Sequence, residues 1–468
     1  MRSGPERAMV CWVGASLPQE VERECANRGL QVEAIGPDEV RTACLRGARA
    51  ALVANVPEAR QLLVSIYQIA AACGTALAIA LTDDYPDAAS ANAASVIKRS
   101  RTSPVPVVDA RDGRAYSAAE YCASHMPGPI PNLALEISPS VEDEAQRLLF
   151  QRAFYDFRSI RLKELHGGYT QARLWRVDAG HGPDERAHPF VAKLDRDDAI
   201  TDQIQTMQEF VADQLPYVNY APTDLHRCVA GAGVRLMVSK FVGAATQFDT
   251  FMGLHPTHLA ITALFDGALR NWRECTTEER IQLGRVYRDG GILPEPATLA
   301  QACAASRARR RRPESVIERI LRRPAQTVRI CRGHGDLQIR NVFVRESTAD
   351  VVLIDFPGPI PTTHALRDPA SLDVSLGFYE ASGGAVSAED ESILRRLYEP
   401  PLLGCRRRPE DTARAVAVLR VRMYARMDAL TWSEYDLAVA CHLLRFASFT
   451  REPMDRRALA YELACELA

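Results

Sequence analysis

The sequence has very little lysine. Only Lys98, Lys163, Lys193 and Lys240 are lysines among its 57 basic residues, and the others are arginine. It also lacks an excess of either charge, because 59 acidic residues bring the formal net charge to −2. A balanced charge gives no global attraction to nucleic acid or to an anionic membrane surface. The bias towards alanine and arginine favours a GC-rich, bacterial coding background.

Two further absences concern cysteine pairs and long apolar segments. The twelve cysteines are scattered without a C-x-x-C pair or zinc-type spacing, so we interpret them as reduced, packed thiols. The start of the chain lacks the apolar stretch of a signal peptide. Residues 62–82 carry no charge, but Ser65, Gln68 and Gly74 favour a helix that ends near Gly74 and then a buried strand. We therefore expect a soluble, cytoplasmic protein with no membrane partner.

The first part of the chain alternates two patterns. Short apolar runs and amphipathic stretches follow one another over residues 8–120, which predicts a parallel sheet with helices on both faces. Residues 1–122 thus look like a flavodoxin-like or receiver-like α/β domain. A phosphoacceptor receiver needs an Asp at the end of its third strand, where this chain has Asn55, and no G-x-G-x-x-G motif follows the first strand. We predict a docking or sensing module without catalysis.

The remaining residues divide into three further segments. Residues 123–142 are rich in proline and serine, which is typical of a linker. Strand-like patterns dominate 143–245, and 246–468 are mostly helical in pattern. Within this last segment Thr276 and Glu279 form a capping-box signature, which predicts that a helix begins there.

An arginine tract interrupts the helical segment. Five arginines between Arg307 and Arg312 permit a nucleic-acid-binding interpretation. The tract has no interleaved aromatic residues and the chain is not basic overall, so a solvated connection between helices, which steers anionic substrates, is favoured.

The stretch "ICRGHGDLQIRNVFV" contains the strongest motif. His334, Asp336 and Asn341 lie between two strand-like runs, and Asp355 ends the next apolar run. This layout brings three oxygen donors to one end of a small sheet. Phosphoryl transfer needs such a set, because one carboxylate orients the acceptor hydroxyl while an amide and a second carboxylate hold Mg²⁺ against the nucleotide phosphates.

Residues upstream supply candidate nucleotide contacts. Gly167 and Gly168 lie between strand-like flanks and would let the backbone approach phosphates, although a glycine pair also marks an ordinary hairpin turn. Lys193 ends the apolar strand "PFVAKLD", where its ammonium would neutralise phosphates unless it is a solvated strand end.

A helix-like stretch follows that strand. Glu209 is its only glutamate and would pair with Lys193, with Asp202 and Asp213 as competitors. Next, "VRLMVSKFVG" predicts a strand that leads to a hinge. A turn-stabilising or core role would explain His334, Asp336 or Asn341 one at a time. The order of all six elements favours a bilobal α+β protein-kinase-like domain with a β-rich first lobe and a helical second lobe.

The motifs also resemble a known family. "HGDLQIRNVFV" followed by "LIDF" resembles the aminoglycoside phosphotransferase branch of the protein-kinase-like superfamily, which has glycine where protein kinases have arginine, here Gly335. A narrower resemblance is to the kinase-like ternary complex-associated domains of bacterial conflict and signalling systems. It rests on Gly167 to Ala172, His334 to Asn341 and Arg367 to Ala370, within 145–450.

The resemblance implies a role for each matched residue. Asp336 would be the catalytic base or hydroxyl-orienting group, and Asn341 and Asp355 would be metal ligands. Gly167, Gly168 and Lys193 would bind the ATP phosphates, and Glu209 would position that lysine. His334 and Asp368 would support the catalytic loop. The sequence also departs from protein kinases, since "FPGP" starts at Phe356 in place of the D-F-G turn and no A-P-E segment is present.

Two hypotheses therefore stand at the level of function. The first is an ATP- and Mg²⁺-dependent phosphotransferase that acts on a hydroxyl of an unknown small molecule or partner. The second is a nucleotide-binding scaffold with little catalysis in a bacterial signalling or conflict complex, with a protein partner at the N-terminal domain. Nucleic-acid binding is a distant third.

Overall fold

The computed structural model describes most of the chain. The described residues are 8–88, 91, 105–165, 172–182, 188–231, 233–241, 245–254, 257–357, 362–378, 387–404 and 413–468. They divide into two compact units. The first is Met1–Thr201 with Thr223–Phe241, and the second is Asp202–Pro222 with Val242–Ala468. The predicted division at 1–122, 123–142, 143–245 and 246–468 stays a prediction.

The first unit begins with alternating strands and helices. In chain order they are β1 (Met9–Val13), α1 (Gln19–Ala26), β2 (Gln31–Ile35), α2 (Val40–Leu45), β3 (Ala50–Ala54), α3 (Pro57–Cys73), β4 (Ala76–Leu81), β5 (Val107–Asp109) and α4 (Tyr116–Ser124). The strands form one parallel sheet in the order β2-β1-β3-β4-β5. This is the strand order of flavodoxin-like doubly wound domains.

The uncharged segment at 62–82 comprises the last part of helix α3 and the central strand β4. Every residue of β3 and β4 is buried, as expected for parallel strands with both faces covered. Gly74 ends α3 with a left-handed φ of 73°, as predicted. No helix among the described residues has both the length and the apolar character needed to cross a membrane.

The first unit also contains a second sheet. Its strands and the helices between them are β6 (Glu136–Ser138), α5 (Glu144–Ala153), β7 (Ser159–Glu164), β8 (Arg173–Gly180), β9 (His188–Arg196), α6 (Asp197–Thr206), β10 (Val229–Gly231) and β11 (Val234–Lys240), and the division between the units falls within α6, after Thr201. The strand order is β10-β11-β9-β8-β7-β6, antiparallel except for the β6–β7 pair. The proline-rich segment 123–142 thus contributes strand β6 to this sheet.

Arg152 and Gly231 join the two sheets of the first unit. The buried guanidinium of Arg152 donates to the carbonyl of Ala72 in α3 (2.9 Å) and to that of Ala230 in β10 (2.8 Å). The backbones approach so closely that a Cβ on Gly231 would lie 2.4 Å from the carbonyl oxygen of Ala71. The α/β domain is therefore packed against the second sheet through satisfied buried hydrogen bonds.

The second unit is mostly helical. It contains β12 (Ala245–Gln247), α7 (Phe248–Leu254), α8 (Thr257–Thr262), α9 (Arg270–Glu274), β13 (Thr277–Ile281), α10 (Leu283–Asp289), α11 (Ala300–Ala305), α12 (Pro313–Leu321), β14 (Gln326–Cys331), β15 (Val342–Arg345), β16 (Val351–Leu353), β17 (Thr363–His364), α13 (Arg367–Phe378), α14 (Ala388–Leu397), α15 (Ala413–Asp428), α16 (Trp432–Ser448) and α17 (Met454–Leu467). Two small sheets have the orders β12-β15-β16 and β13-β14-β17.

One predicted helix start is wrong. Residues Thr277–Ile281 form strand β13, which pairs antiparallel with β14, and the helix begins only at Leu283. The four residues from Thr277 to Arg280 are exposed, so they have no apolar stripe that a helix would bury. Pairing with β14 satisfies their backbone groups instead.

The arginine tract connects two helices, as predicted. It lies between α11 and α12, and Arg311 donates to the carbonyl of Cys465 (2.5 Å) while its own carbonyl accepts from Tyr461. Arg307 pairs with Glu391 at 2.8 Å. Part of the tract therefore stabilises packing within the second unit.

Candidate active site

The motif loop begins where strand β14 ends and has a left-handed turn at Gly335. The φ of Gly335 is 83°, a conformation that costs a residue with a Cβ about 1–2 kcal/mol. The loop ends in a single 3₁₀ turn over Ile339–Asn341, which leads directly into β15. The backbone conformation explains why glycine precedes Asp336.

Asp368 holds the backbone of this loop. Its carboxylate accepts hydrogen bonds from the N–H groups of His334 (2.5 Å) and Gly335 (2.9 Å). Arg367 adds a bond from Nη2 to the carbonyl of Gly335 (2.9 Å). Both side chains come from the first turn of α13 and are buried. The predicted role of Asp368 as a brace of the loop backbone is confirmed.

His334 lies beneath the loop and is only 2% exposed. Its Nδ1 accepts the backbone N–H of Asp336 (3.3 Å), so Nε2 carries the proton and donates it to the carbonyl of Ile354 (3.0 Å). The ring also packs against Phe356 with centroids 4.4 Å apart. His334 thus connects the loop to the segment that carries Asp355.

The carboxylate of Asp336 is partly exposed and has two side-chain partners. Nη1 of Arg445 donates to Oδ1 at 2.7 Å, and Nε2 of Gln338 donates to Oδ2 at 3.2 Å. Arg445 lies on α16, a helix whose other residues are mostly buried. The sequence motifs do not include Arg445, although it is the only Arg, Lys, Asp or Glu in the second half of this helix.

The hairpin of β15 and β16 brings Asn341 close to Asp355. Val342 pairs with Leu353, and the N–H of Ile354 donates to the carbonyl of Asn341 (3.1 Å). The buried amide of Asn341 donates from Nδ2 to the carbonyl of Asp336 (2.9 Å), which directs its Oδ1 away from that bond. Asp336, Asn341 and Asp355 are therefore joined through two short hydrogen-bonded connections.

Asp355 has an unusual backbone conformation. Its φ is 60°, one of two positive values among the described non-glycine residues. Such strain is typical of functional sites, where the surroundings impose it. Nε2 of Gln203 approaches its Oδ1 at 3.4 Å. Gln203 is a buried residue of α6 that the sequence did not single out.

The chemistry of Asn341 and Asp355 fits a hard divalent cation. Mg²⁺ is bound by oxygen, commonly through one or two carboxylates with waters and substrate phosphates in the remaining positions. One carboxylate and one amide from the same end of a hairpin meet that requirement. The described residues contain no group of three or more His, Cys, Asp or Glu side chains that suits a metal, so a cage built only of protein ligands is not expected there.

The candidate nucleotide-binding residues that precede the motif loop differ in their positions and exposure. Gly167 and Gly168 lie outside the described residues. Lys193 is half-buried in β9, between Leu174 of β8 and Met237 of β11 in the register. Glu209 is exposed on the π-helical turn that follows α6 and accepts a hydrogen bond from Gln205 (2.8 Å). The predicted roles of these residues stay predictions.

Comparisons with known proteins found structural matches of low similarity. No family model matches the sequence, and no curated protein matches it significantly. Solved structures similar to it include an aminoglycoside-3′-phosphotransferase of type VIII, at 15% identity with a TM-score of 0.36, which covers 62% of this chain and 93% of that one. Another is aminoglycoside phosphotransferase APH(3″)-Id from Streptomyces rimosus, at 15% identity with a TM-score of 0.30 over 56% of this chain and 91% of that one.

The second enzyme also matches in its complex with ADP and streptomycin. That match has 17% identity and a TM-score of 0.29 over 53% of this chain and 88% of that one. TM-scores below 0.5 leave the activity of this chain to be decided by the geometry of the site.

Proposed function

We propose that this protein is an ATP- and Mg²⁺-dependent phosphotransferase that transfers the γ-phosphate to a hydroxyl group. The observation that supports this most is the hydrogen-bonded set around the motif loop, in which Asp336, Asn341 and Asp355 are linked to one another and braced by His334 and Asp368. Phosphoryl transfer depends mainly on positioning and charge stabilisation, and a preorganised set of this kind provides both.

Each residue has a separate task in this proposal. Asp336 orients the acceptor hydroxyl and takes its proton, and the bond from Gln338 holds the carboxylate in place. Asn341 and Asp355 hold Mg²⁺, which when bound neutralises charge on the nucleotide phosphates. Lys193 binds phosphate oxygens, as the order of the motifs implies, with Glu209 as its positioning residue. Gly167 and Gly168 form the phosphate-approaching turn.

The proposal also covers the family of the protein and its location in the cell. It assigns the chain to the aminoglycoside phosphotransferase-like superfamily, in the branch of the kinase-like ternary complex-associated domains, and to the bacterial cytoplasm. The N-terminal domain is proposed as a receiver-like docking module for a protein partner. Support comes from its parallel 2-1-3-4-5 strand order and from Asn55 at the position where a receiver has its phosphoacceptor.

Asp336→Ala tests the catalytic assignment. We expect Mg²⁺-dependent ATP consumption to fall by about 10²–10⁴-fold, because a general base contributes that much. Binding of a fluorescent ATP analogue should remain close to wild type. Asp350→Ala is the matched control, since Asp350 is exposed in the turn between β15 and β16. Full turnover by Asp336→Ala would show that the base assignment is wrong.

A scaffold with little catalysis is the second candidate. The parallel 2-1-3-4-5 strand order of the N-terminal sheet favours it, because such a domain suits docking to a partner protein. The prediction of this alternative is tight nucleotide binding with slow turnover in wild type. An efficient wild-type enzyme would exclude the scaffold.

A further inference from the structure

The hydrogen-bond partners of Asp336 indicate which charge an acceptor substrate should carry. Both carboxylate oxygens are engaged, one by Arg445 and the other by Gln338. Asp368, the nearby acidic residue that holds the loop, has both oxygens committed to backbone N–H groups. Each oxygen of Asp336 keeps a lone pair for an acceptor hydroxyl, but Arg445 already balances the charge of this carboxylate. Among the described residues, Asp336 and Asp368 therefore offer no unbalanced, accessible charge to an ammonium group, which does not favour a polycationic substrate.

Arg445, in contrast, has hydrogen-bond donors that an anionic group of an acceptor could use. Its side chain is 26% exposed and that of Asp336 is 22% exposed, so a small molecule can reach both. The guanidinium has five N–H donors, and the hydrogen bond to Asp336 uses only one nitrogen, Nη1. Nε and Nη2 have no hydrogen-bond partner among the described residues. They are donors with the fork geometry that suits a carboxylate or a phosphate.

The surroundings of Arg445 keep its guanidinium in place beside Asp336. Its backbone belongs to the buried helix α16, and its guanidinium lies 5.8 Å from the ring centroid of Phe449. Burial lowers the pKa of His442, one turn earlier, well below its usual value, and Arg445 and Arg367 lower it further. The neutral form of His442 is thus favoured, and Arg445 is the cationic side chain that is hydrogen-bonded to Asp336.

We infer that the acceptor is a small hydroxy compound that carries an anionic group close to its reactive hydroxyl, and that Arg445 binds this group. The inference rests on the proposed phosphotransfer at Asp336. The hydroxyl donates its proton to Asp336 and forms the new O–P bond as the bond from the γ-phosphorus to the β–γ bridging oxygen of ATP breaks, which releases ADP. A carboxylate and a phosphate group both meet the requirement.

Acceptor-dependent ADP formation with Mg-ATP tests the inference in the full-length protein. The probes are gluconate and glucose 6-phosphate as anionic acceptors, glucose as a neutral one and glucosamine as a cationic one, with water-only hydrolysis as the baseline. We expect kcat/KM for an anionic probe to exceed that for glucosamine by about tenfold or more, since one charge contact has that size. The two anionic probes distinguish a carboxylate from a phosphate preference.

Arg445→Glu and Arg445→Gln complete the test, with the exposed Arg426→Gln as the matched control. Arg445→Glu should reverse the order of preference, mainly through KM, and Arg445→Gln should abolish it, while Arg426→Gln keeps it. Equal loss or equal gain of kcat on every probe would overturn the inference, because Arg445 would then only position Asp336 or block it. Absence of Mg-dependent ATP consumption with every probe and with water would instead contradict the proposed function.

Discussion

Two buried asparagines in this molecule make similar hydrogen bonds to backbone carbonyls but lie beside different functional groups. Asn55 lies at the end of β3 in the N-terminal sheet, and its Nδ2 donates to the carbonyls of Tyr85 (3.3 Å) and Asp87 (3.1 Å). Asn341 likewise donates from Nδ2 to a backbone carbonyl, that of Asp336. Only Asn341 is hydrogen-bonded to the backbone of a candidate catalytic residue, Asp336, and to the backbone of Ile354, which precedes Asp355. The comparison teaches that the groups around a polar residue, and not its type or burial, indicate chemistry.

The same contrast applies to two aspartates. Asp368 is buried and accepts two backbone N–H groups of the motif loop. Asp109 ends β5 of the N-terminal sheet and pairs at the surface with Arg111 (2.6 Å) and Arg114 (3.3 Å). A buried carboxylate that satisfies backbone donors contributes far more than a surface ion pair. The N-terminal sheet is held mainly by apolar burial, and the motif loop by polar contacts.

The largest expected difference between the two regions concerns the asparagines. Asn341→Ala should lower Mg²⁺-dependent ATP turnover by about 10²-fold or more, because charge stabilisation through the metal ligand is lost. Asn55→Ala should leave kcat unchanged and lower the free energy of unfolding by about 1–3 kcal/mol, since two carbonyls lose a donor. Steady-state kinetics over a Mg²⁺ titration, together with urea unfolding, measures both. Equal kinetic effects of the two substitutions would remove the distinction between the sites.

A smaller effect is expected at Asp368. Asp368→Asn replaces one accepting oxygen by an amide NH₂ that faces an N–H group, which should cost about 1.5–3 kcal/mol in unfolding free energy. A shift of the loop should also lower kcat by up to about 10²-fold with little change in nucleotide affinity. Thermal unfolding and single-turnover kinetics measure the two effects. Asp350→Asn is the control, and wild-type kinetics in Asp368→Asn would show that the brace has no catalytic importance.

The smallest effect is expected at Asp109 and depends on pH. Hydrogen bonds from the Arg111 guanidinium lower the pKa of Asp109 to about 2. A lowered pKa stabilises the folded state above the unfolded pKa of about 3.9, and this stabilisation is lost as the pH falls towards 2. Because the pair is at the surface, Asp109→Asn should cost less than about 1 kcal/mol at pH 7. Urea unfolding at pH 7 and pH 3 checks this, and a larger cost at pH 3 would contradict it.

Local patterns were sufficient for much of the architecture. Apolar runs predicted β3 and β4, and Gly74 predicted the end of α3, because side-chain periodicity and backbone preferences act over a few residues. The spacing of His334, Asp336, Asn341 and Asp355 predicted a loop that is followed by a hairpin. In the structure, hydrogen bonds connect the residues of this loop and hairpin. The failure at Thr277–Ile281 has a physical cause, since a strand can satisfy its backbone with a partner distant in sequence.

The sequence by itself determined the parallel sheet near the N-terminus, the motif loop and the set of oxygen donors, because these depend on neighbouring residues. Only the tertiary structure decided that Arg445 pairs with Asp336 across 109 positions and that Gln203 approaches Asp355 across 152. It also decided that Arg152 forms hydrogen bonds between the N-terminal α/β domain and the second sheet of the first unit. Such partners are selected by the packing of whole helices, which brings together side chains whose separation in the sequence carries no signal.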